Sequence, residues 1–236
     1  STVSHYVTID GPADAEALAQ AITRTVAETD VFRLRFHETP DGMRQSIDPA
    51  YAPDLIRLDL RGEADPMAAA KDRMGQDFHA LLDLRRDRLS AQMLIQTADH
   101  SFIWYNRGHH AILDGYSMLL LEQRCARLYR HLIGKGPEGE PFLPFRRFIE
   151  EDMAYPASAA FAKDRDYWAA QLPPRIHTPV LEKGGEDYGI KGFERHVPLP
   201  SRIDDMIRQR SQQLGIGWPD LLVLIASVYL HDRFPF

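Results

Sequence analysis

Residues 101–117 read SFIWYNRGHHAILDGYS, an aromatic, apolar run that ends in two histidines, a short loop and an aspartate beside a glycine. Upstream, residues 88–97 form a second apolar run. Ala98, Asp99, His100 and Ser101 join the two, so the pair is expected as a β-hairpin. Downstream, Met118, Leu121, Cys125, Leu128 and Leu132 recur at helical spacing over 117–133, with Gly134 as the stop. Strand, polar loop and helix in that order place any chemistry on a loop held by rigid elements on both sides.

Working outward, residues 3–9 read as an opening strand, and Leu18, Ile22 and Val26 mark one apolar face of a helix over 14–28. Residues 31–37 alternate Val31, Arg33 and Arg35 against Phe32, Leu34 and Phe36. That is the period of a half-buried strand, turning at Asp41 and Gly42 into a partner over 43–50. Asp65 as N-cap and Pro66 at the first helical position start a helix with Met67, Ala70, Met74 and Phe78 as its buried stripe, expected to end near Leu82. Residues 134–144 are a loop by composition. Helices are expected over 145–154 and 157–171, a connection between lobes over 173–192, a strand over 193–199, and helices over 201–214 and 219–231.

With 236 residues, 44% hydrophobic and 26% charged, the composition is that of a globular protein. The 34 acidic against 28 basic side chains give a formal charge of −6, so no net field draws in nucleic acid or an anionic membrane. One cysteine, Cys125, excludes an internal disulfide and a cysteine-rich zinc site; it reads as a small buried apolar residue in a reducing compartment. The longest apolar run, Leu221 to Leu230, falls short of the roughly 20 residues of a membrane span. No charged-then-apolar leader opens the sequence, so the expected location is the cytoplasm. Because it opens in a strand and stops without a polar tail, it reads as a piece of a longer chain.

The residues suited to chemistry are His109, His110, Asp114 and Gly115. An imidazole, with an unperturbed pKa of about 6.5, takes or holds a proton near neutrality. If the strand persists through His110, the adjacent histidines face opposite sides, one functional and one structural. Asp114 either orients the imidazole or turns away to hold the loop, and Gly115 removes a side chain where the backbone bends or a ligand passes. Rival chemistries lack their parts. Ser117 is without the final glycine of a nucleophile elbow and reads as a helix cap. His110 and Asp114 have no third ligand at zincin-like spacing, so no metal is expected, and no phosphate loop or dinucleotide fingerprint is present. Glu150, Glu151 and Asp152 read as a solvated helix face, and Trp104 and Tyr105 as strand core.

His109-His110-Ala-Ile-Leu-Asp114-Gly115 resembles the HHxxxDG signature of nonribosomal peptide synthetase condensation domains, in the chloramphenicol acetyltransferase-like superfamily. Residues 27–36 resemble the family's HExLRTRF segment, 145–155 its YxDFAxW helix, and Tyr167-Trp168 its tyrosine–tryptophan pair. Residues 104–110 are similar to the siderophore-synthetase version. The first-helix signature of the family and those of its C-terminal lobe have no counterpart here. The resemblance implies an α/β fold, a lobe with a mixed sheet flanked by helices in a two-layer sandwich. It divides the chain into an N-terminal lobe over 1–175, an interlobe connection over 176–192 and the start of a C-terminal lobe over 193–236.

The resemblance further implies that His110 faces a tunnel between the lobes, that His109 packs inside the lobe, and that Asp114 pairs with Arg33. Gly115 would keep the tunnel open, and Tyr116 replaces a common tryptophan. The implied reaction is amide-bond formation between a donor acyl thioester and an acceptor aminoacyl thioester. Both substrates arrive on phosphopantetheine arms of peptidyl carrier proteins, with adjacent synthetase modules as further partners and no cofactor of the domain's own. An epimerisation domain or free acyltransferase of the same superfamily, or a non-catalytic half that binds carrier proteins, are the alternatives.

Overall fold

The edge-to-edge order of the main sheet follows from two neighbouring apolar strands that pair by a tight turn. In the computed structural model, which describes residues 1–172 and 197–233, β5 (Ser90–Ala98) and β6 (Ser101–His109) form that antiparallel hairpin. β1 (Thr2–Asp10) pairs antiparallel on the free edge of β6, and β4 (Leu55–Asp59) pairs parallel on the free edge of β5. The mixed sheet therefore runs β1-β6-β5-β4. β2 (Leu34–Thr39) and β3 (Gly42–Ile47) make a separate hairpin, with Gly42 at φ +103°, a conformation that only glycine adopts without strain.

Alternation along β5 and β6 sends side chains to two faces. Leu94, Phe102 and Trp104 join a core with Leu18, Ile22 and Val26 of α1 (Ala15–Glu28) and Met118, Leu121, Cys125 and Leu128 of α3 (Gly115–Leu132). Met93, Ile95, Ile103 and Tyr105 pack instead with Ala70 and Met74 of α2 (Pro66–Phe78). The mixed α/β lobe is thus flanked by helices, with α2 adding a layer on the second face. The cap predicted at Asp65 forms, accepting from the Ala68 amide, and Asp14, read as the first residue of its helix, is instead the N-cap of α1, accepting from the Glu16 and Ala17 amides.

The structure and the sequence reading differ locally. Residues 30–33 are a 3-10 turn, so β2 starts at Leu34 and Arg33 stands outside the strand that carries Arg35. The alternation there reports the burial of Phe32 and Leu34, which the turn satisfies as well as a strand would. α2 ends at Phe78, short of Leu82, and Met67 and Phe78 are exposed. β4 carries no signal in the sequence reading because it is a short edge strand formed by non-local pairing. The strand expected over 193–199 lies mostly outside the described residues, and 197–199 belong to no strand.

Two buried arginines cross-link the lobe. Arg124, 1% exposed, forks onto both carboxylate oxygens of Glu28 at 2.6 and 2.8 Å and donates to the Glu138 carbonyl at 2.6 Å, tying α3 to the end of α1 and to the following loop. Arg107 forks onto Asp77 of α2 at 2.8 and 2.8 Å, where the Tyr105 hydroxyl also donates at 2.9 Å. Burial alone would raise the pKa of Asp77, but the Arg107 guanidinium and the Tyr105 hydroxyl hold it below the ordinary carboxylate range.

The first compact unit comprises Ser1–Pro156, including α4 (Phe145–Ala154), and the second Ala157–Phe236. The second contains α5 (Ala159–Gln171), α6 (Ser201–Leu214) and α7 (Trp218–Arg233). α5, which the sequence reading places in the first lobe, clusters with the second unit. The connection expected over 176–192 lies outside the described residues. Among the described residues no single helix is long and apolar enough to cross a membrane.

Replacing Asp77 with alanine leaves Arg107 buried without its carboxylate and should remove about 3 kcal/mol from unfolding in urea at pH 7. Because the folded pKa of Asp77 is lowered, its contribution is present above about pH 3.9 and lost as pH falls through the folded value. The gap between wild type and Asp77→Ala should therefore close on acidification below that range; a gap independent of pH contradicts the assignment.

Candidate active site

β6 stops at His109 because the chain has to turn there. The His109 amide still donates to the Leu89 carbonyl at 2.8 Å, and the Ile112 amide then closes a turn on the His109 carbonyl at 2.9 Å. Ile112 and Leu113 are buried and insert into the α1/α3 core as a plug under the turn. Leu113 packs on Gly108 so closely that a β-carbon there would lie 3.0 Å from three Leu113 carbons. His110, Ala111, Asp114, Gly115 and Tyr116 remain exposed. The result is a tight surface turn on an apolar anchor, with His110 at its apex.

The two histidines separate by turn geometry rather than by strand alternation, since the strand ends between them. His109 is half-buried, and its Nδ1 accepts the Ala111 amide at 3.0 Å, which fixes that nitrogen as an unprotonated acceptor. Burial first, then the neighbouring His110 and Arg107, lowers its pKa. His109 holds the turn from inside. The ring of His110 is presented to solvent, with no hydrogen bond to it among the described residues.

Asp114 is the N-cap of α3. Its Oδ1 accepts the Ser117 amide at 2.8 Å and the Ser117 hydroxyl at 2.7 Å, while the Asp114 amide donates to Ser117 Oγ at 3.4 Å. These Ser117 bonds, the amide first, hold the Asp114 carboxyl below its usual range. Ser117 is therefore the partner of the cap and not the cap residue. Its hydroxyl faces a carboxylate instead of an imidazole, which is not the geometry of an activated nucleophile.

The expected Arg33–Asp114 pair is not formed. Arg33 lies in the 3-10 turn three residues after Asp30 and donates to it, a local pairing that needs little ordering of the chain, and Asp30 also accepts the Phe145 amide at 2.9 Å at the start of α4. Arg35 instead pairs with Asp48 at 3.4 Å and lies over the Tyr51 ring. Gly115 is the first residue of α3, a β-carbon there would meet nothing within 4 Å, and its backbone lies outside the left-handed region. The glycine of this segment where a β-carbon would press on a neighbour is Gly108, against the Leu113 side chain, legible only as a glycine inside a strand run. Arg124 also escaped the reading, although its place between Leu121 and Leu128 puts it on the buried stripe.

Against the same loop lies an apolar groove of about 390 Å³, lined by Leu113, Ser117, Leu120, Val31, Phe145 and Phe148 among others. Cys125 is buried and its thiol is pushed up to about 12, which keeps it out of nucleophilic chemistry. Among the described residues no group of three or more histidine, cysteine, aspartate or glutamate side chains could hold a metal ion.

A family model described as the Condensation domain matches residues 1–233. Enterobactin synthase component F of Escherichia coli (strain K12) is 36% identical over 238 residues, covering 97% of this chain. The isonitrile lipopeptide synthase of Streptomyces coeruleorubidus is 33% identical over 234 residues, with the same coverage. The chain spans only 18% and 16% of those two proteins. Among solved structures, the condensation enzyme VibH superposes with a TM-score of 0.77 at 26% identity, over 98% of this chain and 53% of that one. The starter condensation domain of the rhizomide synthetase RzmA gives 0.64 at 32% identity, over 72% and 42%.

Two comparisons test this geometry. Gly108→Ala should cost about 1–3 kcal/mol in urea unfolding through overpacking against Leu113. Gly115→Ala should leave stability unchanged or raise it by up to about 1 kcal/mol; equal losses at both positions contradict the packing. In thermal melts, Asp30→Ala should lower the midpoint more than Asp114→Ala, because it strands Arg33 and uncaps α4. The reverse order would restore the Arg33–Asp114 pairing.

Proposed function

The chain belongs to the condensation-domain family of nonribosomal peptide synthetases, and from that membership we propose that it supplies His110 as the proton-handling group for amide-bond formation between two carrier-bound thioesters. The observation that carries this reading is the division of labour in the His-His pair. His109 is consumed by the turn it braces, and His110 stands exposed at the apex.

The donor acyl group and the acceptor aminoacyl group each arrive on the phosphopantetheine arm of a carrier protein. The acceptor amine attacks the donor thioester carbonyl, forming the carbon–nitrogen bond and a tetrahedral intermediate. His110 orients the amine and takes the proton it loses; collapse breaks the carbon–sulfur bond, and the proton passes to the departing thiolate. No acyl-enzyme is needed, which suits a site whose Ser117 faces a carboxylate and whose Cys125 is buried. Much of the acceleration comes from holding two tethered reactants together, worth up to about 7–11 kcal/mol. One relative is a dimodular nonribosomal peptide synthase of Bacillus subtilis. Carrier proteins and neighbouring modules are accordingly the proposed partners, in the cytoplasm. No cofactor of the domain's own is invoked.

The test is product formation by the complete domain with loaded donor and acceptor carriers. His110→Ala should lower kcat by about 10²–10⁴-fold, the range of a lost general base, with an unchanged melting temperature because the ring is exposed. A wild-type rate in His110→Ala removes the imidazole from the mechanism. Carrier binding without product in the wild type would establish the non-catalytic alternative.

A further inference from the structure

The turn that carries His110 is fixed at its two ends by different means. At the entrance, β6 hydrogen bonds and the His109 ring hold the backbone. At the exit, after the Ile112–Leu113 plug, the chain has to swing from the turn into α3. The contacts that set this angle are those between Asp114 and Ser117. One hydroxyl does two jobs there: it donates to Asp114 Oδ1 at 2.7 Å and accepts from the Asp114 amide at 3.4 Å. With the Ser117 amide on the same carboxylate oxygen at 2.8 Å, it closes a ring across the first turn of the helix. Ser117 is also half-buried, lines the apolar groove beside the loop, and sits one residue before the fully buried Met118. Its own position is therefore set by the core.

We propose that Ser117 is a positioning residue of the reaction, its hydroxyl locking Asp114 so that the exit of the turn, and with it the direction of His110, is referenced to the rigid body of α3. This rests on the reading of His110 given above. Without the hydroxyl, the Ile112–Leu113 plug and the α3 core persist, so the lobe still folds. Asp114 keeps the amide bond from residue 117 on its carboxylate and the Met118 amide on its carbonyl at 3.2 Å, but loses the two hydroxyl contacts that tie its side chain and its own amide together, and the exit of the turn gains rotational freedom. A misplacement on the order of 1 Å at a reacting group lowers rate by about 10²-fold, while docking of carriers elsewhere is untouched.

The experiment compares wild type, Ser117→Ala, Ser117→Thr and His110→Ala in the complete domain with loaded carriers, reading kcat, KM for the acceptor carrier and the melting temperature. Ser117→Ala should lose about 10- to 100-fold in kcat with KM and melting temperature close to wild type, and Ser117→Thr, which restores a hydroxyl, should recover most of the loss. Full kcat in Ser117→Ala overturns the proposal and leaves the role of His110 standing. A loss that tracks a large fall in melting temperature and is not recovered by threonine also overturns it, in favour of a purely structural cap. Wild-type product formation that survives His110→Ala overturns the functional reading, and the positioning role with it.

Discussion

The close contact of Leu113 with Gly108 is the constraint on which the site depends. A strand that carries its last paired residue at His109 has to reverse direction within a few residues to feed α3, and it does so over an apolar plug seated against a residue with no side chain. That packing anchors the middle of a polar surface loop on the core. Loops ordinarily gain mobility because few buried contacts hold them. Here buried contacts lie directly beneath the exposed residues, and the exposed ones are left for chemistry.

Around that contact, the polar groups divide cleanly between holding and acting. His109 accepts the Ala111 amide, Asp114 is taken up by the helix cap, Arg33 is taken up by Asp30, Arg124 clamps α3 to α1, and Arg107 clamps α2 to the sheet. His110 is what the turn presents. Exposed side chains at low energetic cost to the fold are where a protein can keep reactive groups, because desolvation does not penalise their charged forms.

Much of this was legible in the sequence. The β5–β6 hairpin, α1, α3 and the cap at Asp65 follow from periodicity and capping residues that act over a few positions. That the two histidines differ in exposure was expected from alternation, but its cause is the end of the strand between them. What could not be read has a common physical origin in non-local choice. Asp114 and Arg33 each have a satisfactory partner in a distant segment and another within three residues, and the local geometry won at both. β4 exists because β5 offers an edge. The importance of Gly108 over Gly115 depends on where Leu113 lands, which no local pattern encodes.

The central claim is that this turn delivers an imidazole to an attacking amine. Its most direct test is the structure of the complete domain bound to a stable aminoacyl-pantetheine analogue. The account predicts a ring nitrogen of His110 within hydrogen-bonding reach of the acceptor nitrogen, about 2.6–3.2 Å, with the turn unmoved over Leu113. An acceptor nitrogen seated out of reach of His110, and contacted instead by other groups, would contradict it.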